Sequence, residues 1–269
     1  MEKIEKQRLH FDNISEKYYH ARQSANHLLF KDLMWTYFFK NKEYLKKDGM
    51  EVLEPMCGYA EGKTILEKHL GINIRYKGFD YSDEIIKFVT GQDKDINVIK
   101  LDITRYSPVK TYDLIILIGG LHHIPDYAAD SLLKVSKSLR DKGYMINFEP
   151  THNNFLIKKI RDIIYKRNPL FDRETERSFS LKEINDMYKR CNLKIVDQIY
   201  PGLLSYVLYY NPDAFSRLNK GRSGIVKFLF SIDKCFFRNF FGRHFSFATL
   251  TLLQKDGTMT LWTDPLLAS

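Results

Sequence analysis

Short apolar blocks alternate with amphipathic stretches through the middle of the chain, and that rhythm sets the first expectation. Blocks of strand length lie at residues 50–54, 75–80, 97–101, 112–118 and 143–148, separated by helical spacing or by loops. Leu114 to Ile118 is apolar without alternation, as a strand covered on both faces should be. Regular strand–helix alternation predicts a parallel, doubly wound α/β sheet. A further strand is read at 194–200, stopped by Pro201-Gly202. Residues 8–47 read as helices, the second over 28–44 with Leu29, Leu33, Trp35, Tyr37 and Phe38 as packing material, closed by Gly49 after Lys46-Lys47. Other helices are predicted over 130–140, over 155–166 before a turn at Asn168-Pro169, and over 181–191. Ser180 and Glu183 give the last of these a capping box.

Composition narrows the class. At 269 residues the chain is long enough for one large α/β domain with a full core. Its 42 Lys and Arg against 33 Asp and Glu give a formal net charge of +9. That balance suits nucleic acid, an anionic membrane surface or an acidic substrate, and equally a lysine-rich surface with no such partner. Cys57, Cys191 and Cys235 are odd in number and lack metal-type spacing, which argues against a disulfide framework or a zinc site and suits a reducing cytoplasm. Residues 1–10 are charged, unlike a secretory leader, and no apolar run reaches membrane-spanning length.

The chemistry-bearing residues cluster at strand ends. Val52-Leu53-Glu54 runs into Pro55-Met56-Cys57-Gly58-Tyr59-Ala60, a tight loop of mostly small residues before a helix. Glu54 is an acceptor-only carboxylate, Gly58 and Ala60 let a ligand approach the backbone, and the helix start offers free N–H groups. Asp80 and Asp102 end the second and third strands, and Gly119 follows the fourth. Ligands on doubly wound sheets lie beyond the carboxyl ends of the strands, so topology alone gathers these residues at one site.

In order and spacing these motifs resemble those of the class I S-adenosylmethionine-dependent methyltransferases, closest to the small-molecule branch. The resemblance covers residues 8–150 well and the remainder loosely. The family's acid-x-Gly-x-Gly-x-Gly reads Glu54-Pro55-Met56-Cys57-Gly58-Tyr59-Ala60 here, with two glycines replaced. The resemblance implies a mostly parallel, seven-stranded Rossmann-like sheet whose last strand, 245–254, runs antiparallel. It divides the chain into an N-terminal helical lid (1–48), a cofactor-binding core (49–150), an acceptor-side half (151–255) with an insertion at 203–243, and a tail (256–269) of no readable role.

The implied cofactor is S-adenosyl-L-methionine. Asp80 would take the ribose hydroxyls, Tyr81 would pack on the adenine, and Asp102 with the Ile103 N–H would meet its polar edge. Glu54 and the backbone at Met56 and Gly58 would border the methionine portion, the Gly119 carbonyl its ammonium, and Tyr18 and Arg22 of the first helix would close over it. Taken singly, each acid could equally be a helix cap or turn former, and Phe11, Ile14 and Tyr18 a packing stripe. For a hydroxyl acceptor, His123, His122 and His152 are the candidate general bases; a carbon or amine acceptor can be methylated without one. A metal site is not expected.

Competing activities lack their marks. The loop after the fourth strand is not the Asn/Asp-Pro-Pro-aromatic loop of nucleic-acid amino methylation, and no cysteine follows a proline as carbon methylation of cytosine requires. Met56 breaks the dinucleotide-binding turn. A catalytically silent S-adenosylmethionine-binding module stays open.

The insertion suggests the acceptor. Residues 225–241 read as one helix with a narrow polar stripe, Lys227, Ser231, Lys234 and Arg238, among Phe228, Phe230, Phe236, Phe237, Phe240 and Phe241. A surface helix usually carries a broader polar face, so this one is either a cap or an interfacial membrane helix. Either way its rings are expected to line a pocket for an apolar or amphipathic small molecule, such as a polyketide-like, quinone-like or lipid-linked intermediate.

Overall fold

A computed structural model describes residues 3–167, 176–212, 219 and 221–257. Two helices, α1 (Lys3–Ala21) and α2 (Ala25–Phe39), precede the sheet. Strands and helices then alternate: β1 (Met50–Pro55), α3 (Glu61–Leu70), β2 (Ile74–Asp80), α4 (Asp83–Gln92), β3 (Val98–Lys100), β4 (Tyr112–Ile118), α5 (Ala128–Ser136) and β5 (Leu139–His152). After these come α6 (Phe155–Arg167), β6 (Phe179–Ser180), α7 (Leu181–Arg190) and β7 (Leu193–Ile199). The chain continues through α8 (Leu204–Tyr209), α9 (Ser223–Asp233), α10 (Phe240–Phe245) and β8 (Ala248–Lys255).

The main path of the sheet is β3-β2-β1-β4-β5-β8-β7, with the two-residue β6 pairing the end of β5. Strands β1 to β5 pair in parallel, and β8 lies antiparallel between β5 and β7. The expected doubly wound, mostly parallel, seven-stranded sheet is thus present. The strand order reverses direction between β1 and β4, the crevice where such sheets take ligands.

Both faces of the sheet are covered, which explains the unbroken apolar run of β4. Leu114 and Ile116 join a core with Phe30, Trp35 and Phe38 of α2 and Phe230 of α9. Ile115 and Leu117 join the other, with Leu132 of α5 and Ile184 and Tyr188 of α7. Local caps set the helix starts: Ser82 Oγ accepts from Ile85 N, and the Ser180–Glu183 capping box is formed.

Three expectations shift. The helix over 130–140 ends at Ser136, and β5 already begins at Leu139. The helix over 28–44 starts at Ala25 and stops at Phe39. The helix over 225–241 is two. Asn239 opens α10 by accepting from Gly242 N, and a Cβ on Gly242 would stand 1.9 Å from the Phe236 carbonyl oxygen. The chain therefore turns at 234–239, a break that periodicity does not register. The Asn168-Pro169 turn and the tail beyond Gly257 lie outside the described residues.

Candidate active site

The loop after β1 takes left-handed backbone even at the two positions where the pattern's glycines are replaced. Met56, Gly58 and Ala60 all take left-handed backbone, with φ of 51°, 49° and 56°. For Met56 and Ala60 that costs about 1–2 kcal/mol each. Glu54 ties the end of β1 to the start of α3 and to β2: its Oε1 accepts from Gly62 N at 2.8 Å and its Oε2 from the Tyr76 hydroxyl at 2.6 Å. Burial raises its pKa to about 8. Only glycine fits at position 62, where a Cβ would lie 2.7 Å from that carboxyl group. At Gly58 a Cβ would meet nothing within 4 Å, so the loop backbone is open to a ligand.

Two cavities meet at this loop. The first, about 140 Å³, is walled by Tyr81, Asp102, Ile103, Asp80 and Gly58. Asp80 accepts from Gly58 N through Oδ2 and from Ser82 N through Oδ1, both at 3.0 Å. Each oxygen keeps a second lone pair for a ligand hydroxyl. Burial raises the Asp80 pKa against these backbone donors, which favour the charged form. Asp102 Oδ1 accepts from Thr104 N and Oγ1, both at 2.8 Å, so this acid is a cap as well as a wall. Helix α1 roofs the cavity: Tyr81 donates to Glu5 at 3.0 Å and Ser82 Oγ to Asp12 at 2.6 Å.

The second cavity, about 170 Å³, shares Tyr18, Met56, Gly58, Gly119 and His123 with the first. Arg22 lies 3.3 Å above the Tyr18 ring, and both line it. Beyond them the walls come from α2, α6, α8 and the ends of β4 and β5, with Phe148, Arg161, Tyr206, Tyr210 and Phe247 among them. The insertion does reach this cavity, through Tyr206 and Tyr210, but the phenylalanines of 225–241 are not where the sequence suggested. Phe236 and Phe237 are absent from the lining. Phe237 is fully buried between Tyr37 and Phe230, and α8 supplies the cavity wall.

The three candidate histidines separate. His122 is buried beside Gly119, its Cε1 3.6 Å from where a Gly119 Cβ would be. Its Nδ1 lies 3.0 Å from Glu149 Oε2, while Glu149 Oε1 accepts from Gly120 N and Leu121 N at 3.0 and 2.9 Å. Once ionised, an acid so supplied with backbone donors accepts from His122, which places the proton on Nδ1 and leaves Nε2 as a lone pair. Burial, and then His123, push His122 well below the ordinary histidine range. Burial raises Glu149 to about 7. His123 lines both cavities. Its Nδ1 is 3.0 Å from Gln7 Nε2 and 3.3 Å from Glu176 Oε1. His152 lines neither cavity; its Nδ1 meets Ser178 Oγ at 2.9 Å.

His122, His123 and Glu176 bring ligand-type atoms within 4.8 Å of one another. The Gln7 amide sits among them, 3.0 Å from both His123 Nδ1 and Glu176 Oε1. An N–H donor in that position does for these acceptors what a cation would, so the cluster is read as a hydrogen-bond network.

Sequence reasoning did not assign site roles to Glu149, Glu176, His27, Lys31 or Glu61. Glu149 is legible as a carboxylate at the end of the fifth strand, but there it counts only toward an oxygen-ligand metal site, for which a convincing set of carboxylates is missing; its tie to His122 carried no sequence signal. Glu61 opens α3, where a helix start favours an acid, and pairs with Lys31. Glu176 and His27 come from remote segments and carried no local signal.

No family model matches the chain. It is 25% identical over 157 residues to the demethylmenaquinone methyltransferase of Staphylococcus carnosus, a match covering 55% of this chain and 62% of that protein. The match thus spans about three-fifths of the length of that relative. Among solved structures it is similar to an S-adenosylmethionine-dependent methyltransferase of Archaeoglobus fulgidus, with a TM-score of 0.56 and 15% identity over 89% of this chain and 99% of that one. Another from Clostridium acetobutylicum gives 0.54 and 14% over 90% and 99%. The chain therefore has the Rossmann-like fold of the S-adenosylmethionine-dependent methyltransferases.

Proposed function

We propose that this protein is an S-adenosylmethionine-dependent methyltransferase acting on a small, apolar or amphipathic acceptor, with transfer to oxygen favoured. The observation that carries this is the junction of two cavities at Gly119, with His122 held there by Glu149. The adenosine portion fits the first cavity: Asp80 has lone pairs for two ribose hydroxyls, Tyr81 and Ile103 offer apolar surface, and Asp102 an acceptor. Arg22, Tyr18 and the 56–58 backbone border the methionine portion. When bound, the cofactor supplies an electrophilic methyl group on a sulfonium.

The chain's own part is to position and to take a proton. The walls hold the acceptor near Gly119, because methyl displacement depends above all on alignment. His122 Nε2 accepts the acceptor's hydroxyl proton, and Glu149 steadies the imidazolium that results. His123 instead ties α1 to the site through Gln7. α1 and the buried walls keep bulk water away from the methyl group.

Calorimetry with S-adenosylhomocysteine tests the cofactor assignment. Asp80→Ala should weaken binding by about 1.5–3 kcal/mol, the scale of charged hydrogen bonds. Unchanged affinity in a folded variant removes it.

A second reading concerns how the acceptor arrives, and the exposed surface favours it. Phe155 of α6, Phe228 of α9 and Phe240 and Phe241 of α10 are exposed, with Lys158, Lys159, Lys227, Lys234 and Arg243 on the same helices or the turn between them. Aromatic rings among cations suit an anionic membrane surface, and a quinone-like acceptor, as the name of the Staphylococcus carnosus relative indicates for that protein, would reside there. No helix among the described residues is long and apolar enough to cross a membrane. Flotation with anionic vesicles that survives Phe240→Ser with Phe241→Ser would dismiss this surface.

A further inference from the structure

We propose that His27 receives a hydroxyl group of the acceptor, so that the cavity selects molecules carrying a second oxygen function besides the one that is methylated. This rests on the acceptor assignment above and names a residue that no part of that assignment uses.

The first turn of α2 carries His27 into the wall of the second cavity. Its Nδ1 lies 3.0 Å from the Tyr209 carbonyl oxygen. A carbonyl can only accept, so Nδ1 bears the proton and Nε2 is a bare lone pair. That Nε2 is buried and has no hydrogen-bond partner among the described residues, and the residue as a whole is 1% exposed. Buried acceptors are nearly always satisfied, and one left empty in a residue of the cavity lining calls for a donor from a ligand.

The surroundings select the donor. A lone pair refuses a carboxylate or a carbonyl. Lys31 and Arg22 line the same cavity, and together with burial they hold His27 down at about 3, so its ring stays neutral at any working pH. An ammonium group would have to shed its water beside Lys31, whose charge already takes Glu61 at 2.5 Å. A neutral hydroxyl remains. Next to it, Tyr210 stands 5.5 Å from the His27 ring and stacks on Tyr206 at 4.7 Å and 14°, while Phe148 meets Tyr210 edge-on at 5.4 Å. This aromatic wall suits a planar ring bearing that hydroxyl. With His122 at Gly119 taking one proton and His27 receiving another hydroxyl, the cavity reads an aromatic diol at two points.

The test compares naphthohydroquinone with its dimethyl ether, bound calorimetrically to the protein saturated with S-adenosylhomocysteine. His27→Asn keeps an N–H for the Tyr209 carbonyl but is too short to place an acceptor where Nε2 stood; His27→Gln restores an amide oxygen near the position of Nε2. Wild type should prefer the hydroquinone by about tenfold or more, the scale of one buried hydrogen bond to a ligand. His27→Asn should lose about tenfold of that preference with S-adenosylhomocysteine affinity unchanged, and His27→Gln should regain part of it. An undiminished preference in His27→Asn overturns the assignment. So does a matching loss of S-adenosylhomocysteine affinity, which would give Nε2 to the cofactor. Wild type that binds S-adenosylhomocysteine but shows no preference sinks His27 alone, whereas failure to bind S-adenosylhomocysteine sinks the reading beneath it.

Discussion

The two cavities are built in opposite ways. The one beside Asp80 is made of carboxylates at successive strand ends, each tied to backbone N–H groups within a few residues or to the neighbouring loop. The one beside His27 is made of rings and charges from segments far apart in sequence: α2, α6, α8 and the segment entering β8 at Phe247. The first is a local, strand-end device that any chain of this topology can reuse. The second depends on how α2 and the later helices pack over the end of the sheet. Cofactor recognition and acceptor recognition should therefore fail separately.

The largest effect should come from the junction. His122→Ala should slow single-turnover methyl transfer by about 10²–10⁴ with cofactor affinity near wild type. Glu149→Gln should slow it less, since it disturbs the orientation of His122 without removing the ring. A rate within about tenfold of wild type for His122→Ala would mean that proximity alone drives transfer.

The acceptor half should also break by packing. Phe237→Ala should cost about 3–5 kcal/mol of stability, because the ring is fully buried between Tyr37 and Phe230. Denaturant titration measures this. Near-normal stability with a raised acceptor KM would return Phe237 to the cavity, where the sequence had suggested it.

Stability against pH probes the β1 loop. Glu54 is held at about 8 in the folded protein, above its ordinary value of 4.5. The fold therefore favours its protonated form, and that contribution is complete below pH 4.5 and lost as pH rises toward 8. Glu149, at about 7, acts in the same direction. The depressed His27 and His122 act the other way, below their ordinary value of 6.5. Between pH 6.5 and 8 unfolding free energy should fall with pH, and Glu54→Gln should flatten that fall. An unaltered slope in the variant would show that Glu54 is not the titrating group.

The smallest effect tests the strained loop. Ala60→Gly should raise stability by about 0.5–1 kcal/mol, since glycine takes the left-handed backbone found there without penalty. A lower melting temperature would show that the Ala60 methyl group, buried in the core, contributes more than its backbone strain removes.

The sequence exposed these halves unequally for the same reason. Asp80, Asp102 and Gly119 were legible because period and strand length place strand ends, and topology gathers strand ends at one edge. The replaced glycines at Met56 and Ala60 did not mislead, because the backbone holds its left-handed turn at a cost. Helix 225–241 did mislead: its spacing is helical throughout, yet Asn239 and Gly242 break it by a cap and a close backbone approach. His27 and Glu176 were invisible because their importance lies in partners more than a hundred residues away, Tyr209 and Gln7.

The most direct measurement gives the protein S-adenosylmethionine with a labelled methyl group and a pool of small aromatic and lipid-borne hydroxyl compounds, then follows the label by mass spectrometry. The account predicts that label passes to an aromatic hydroxyl compound in wild type, and far more slowly in His122→Ala. Tight, reversible cofactor binding with no label transferred to any compound would contradict it and leave a binding module without catalysis.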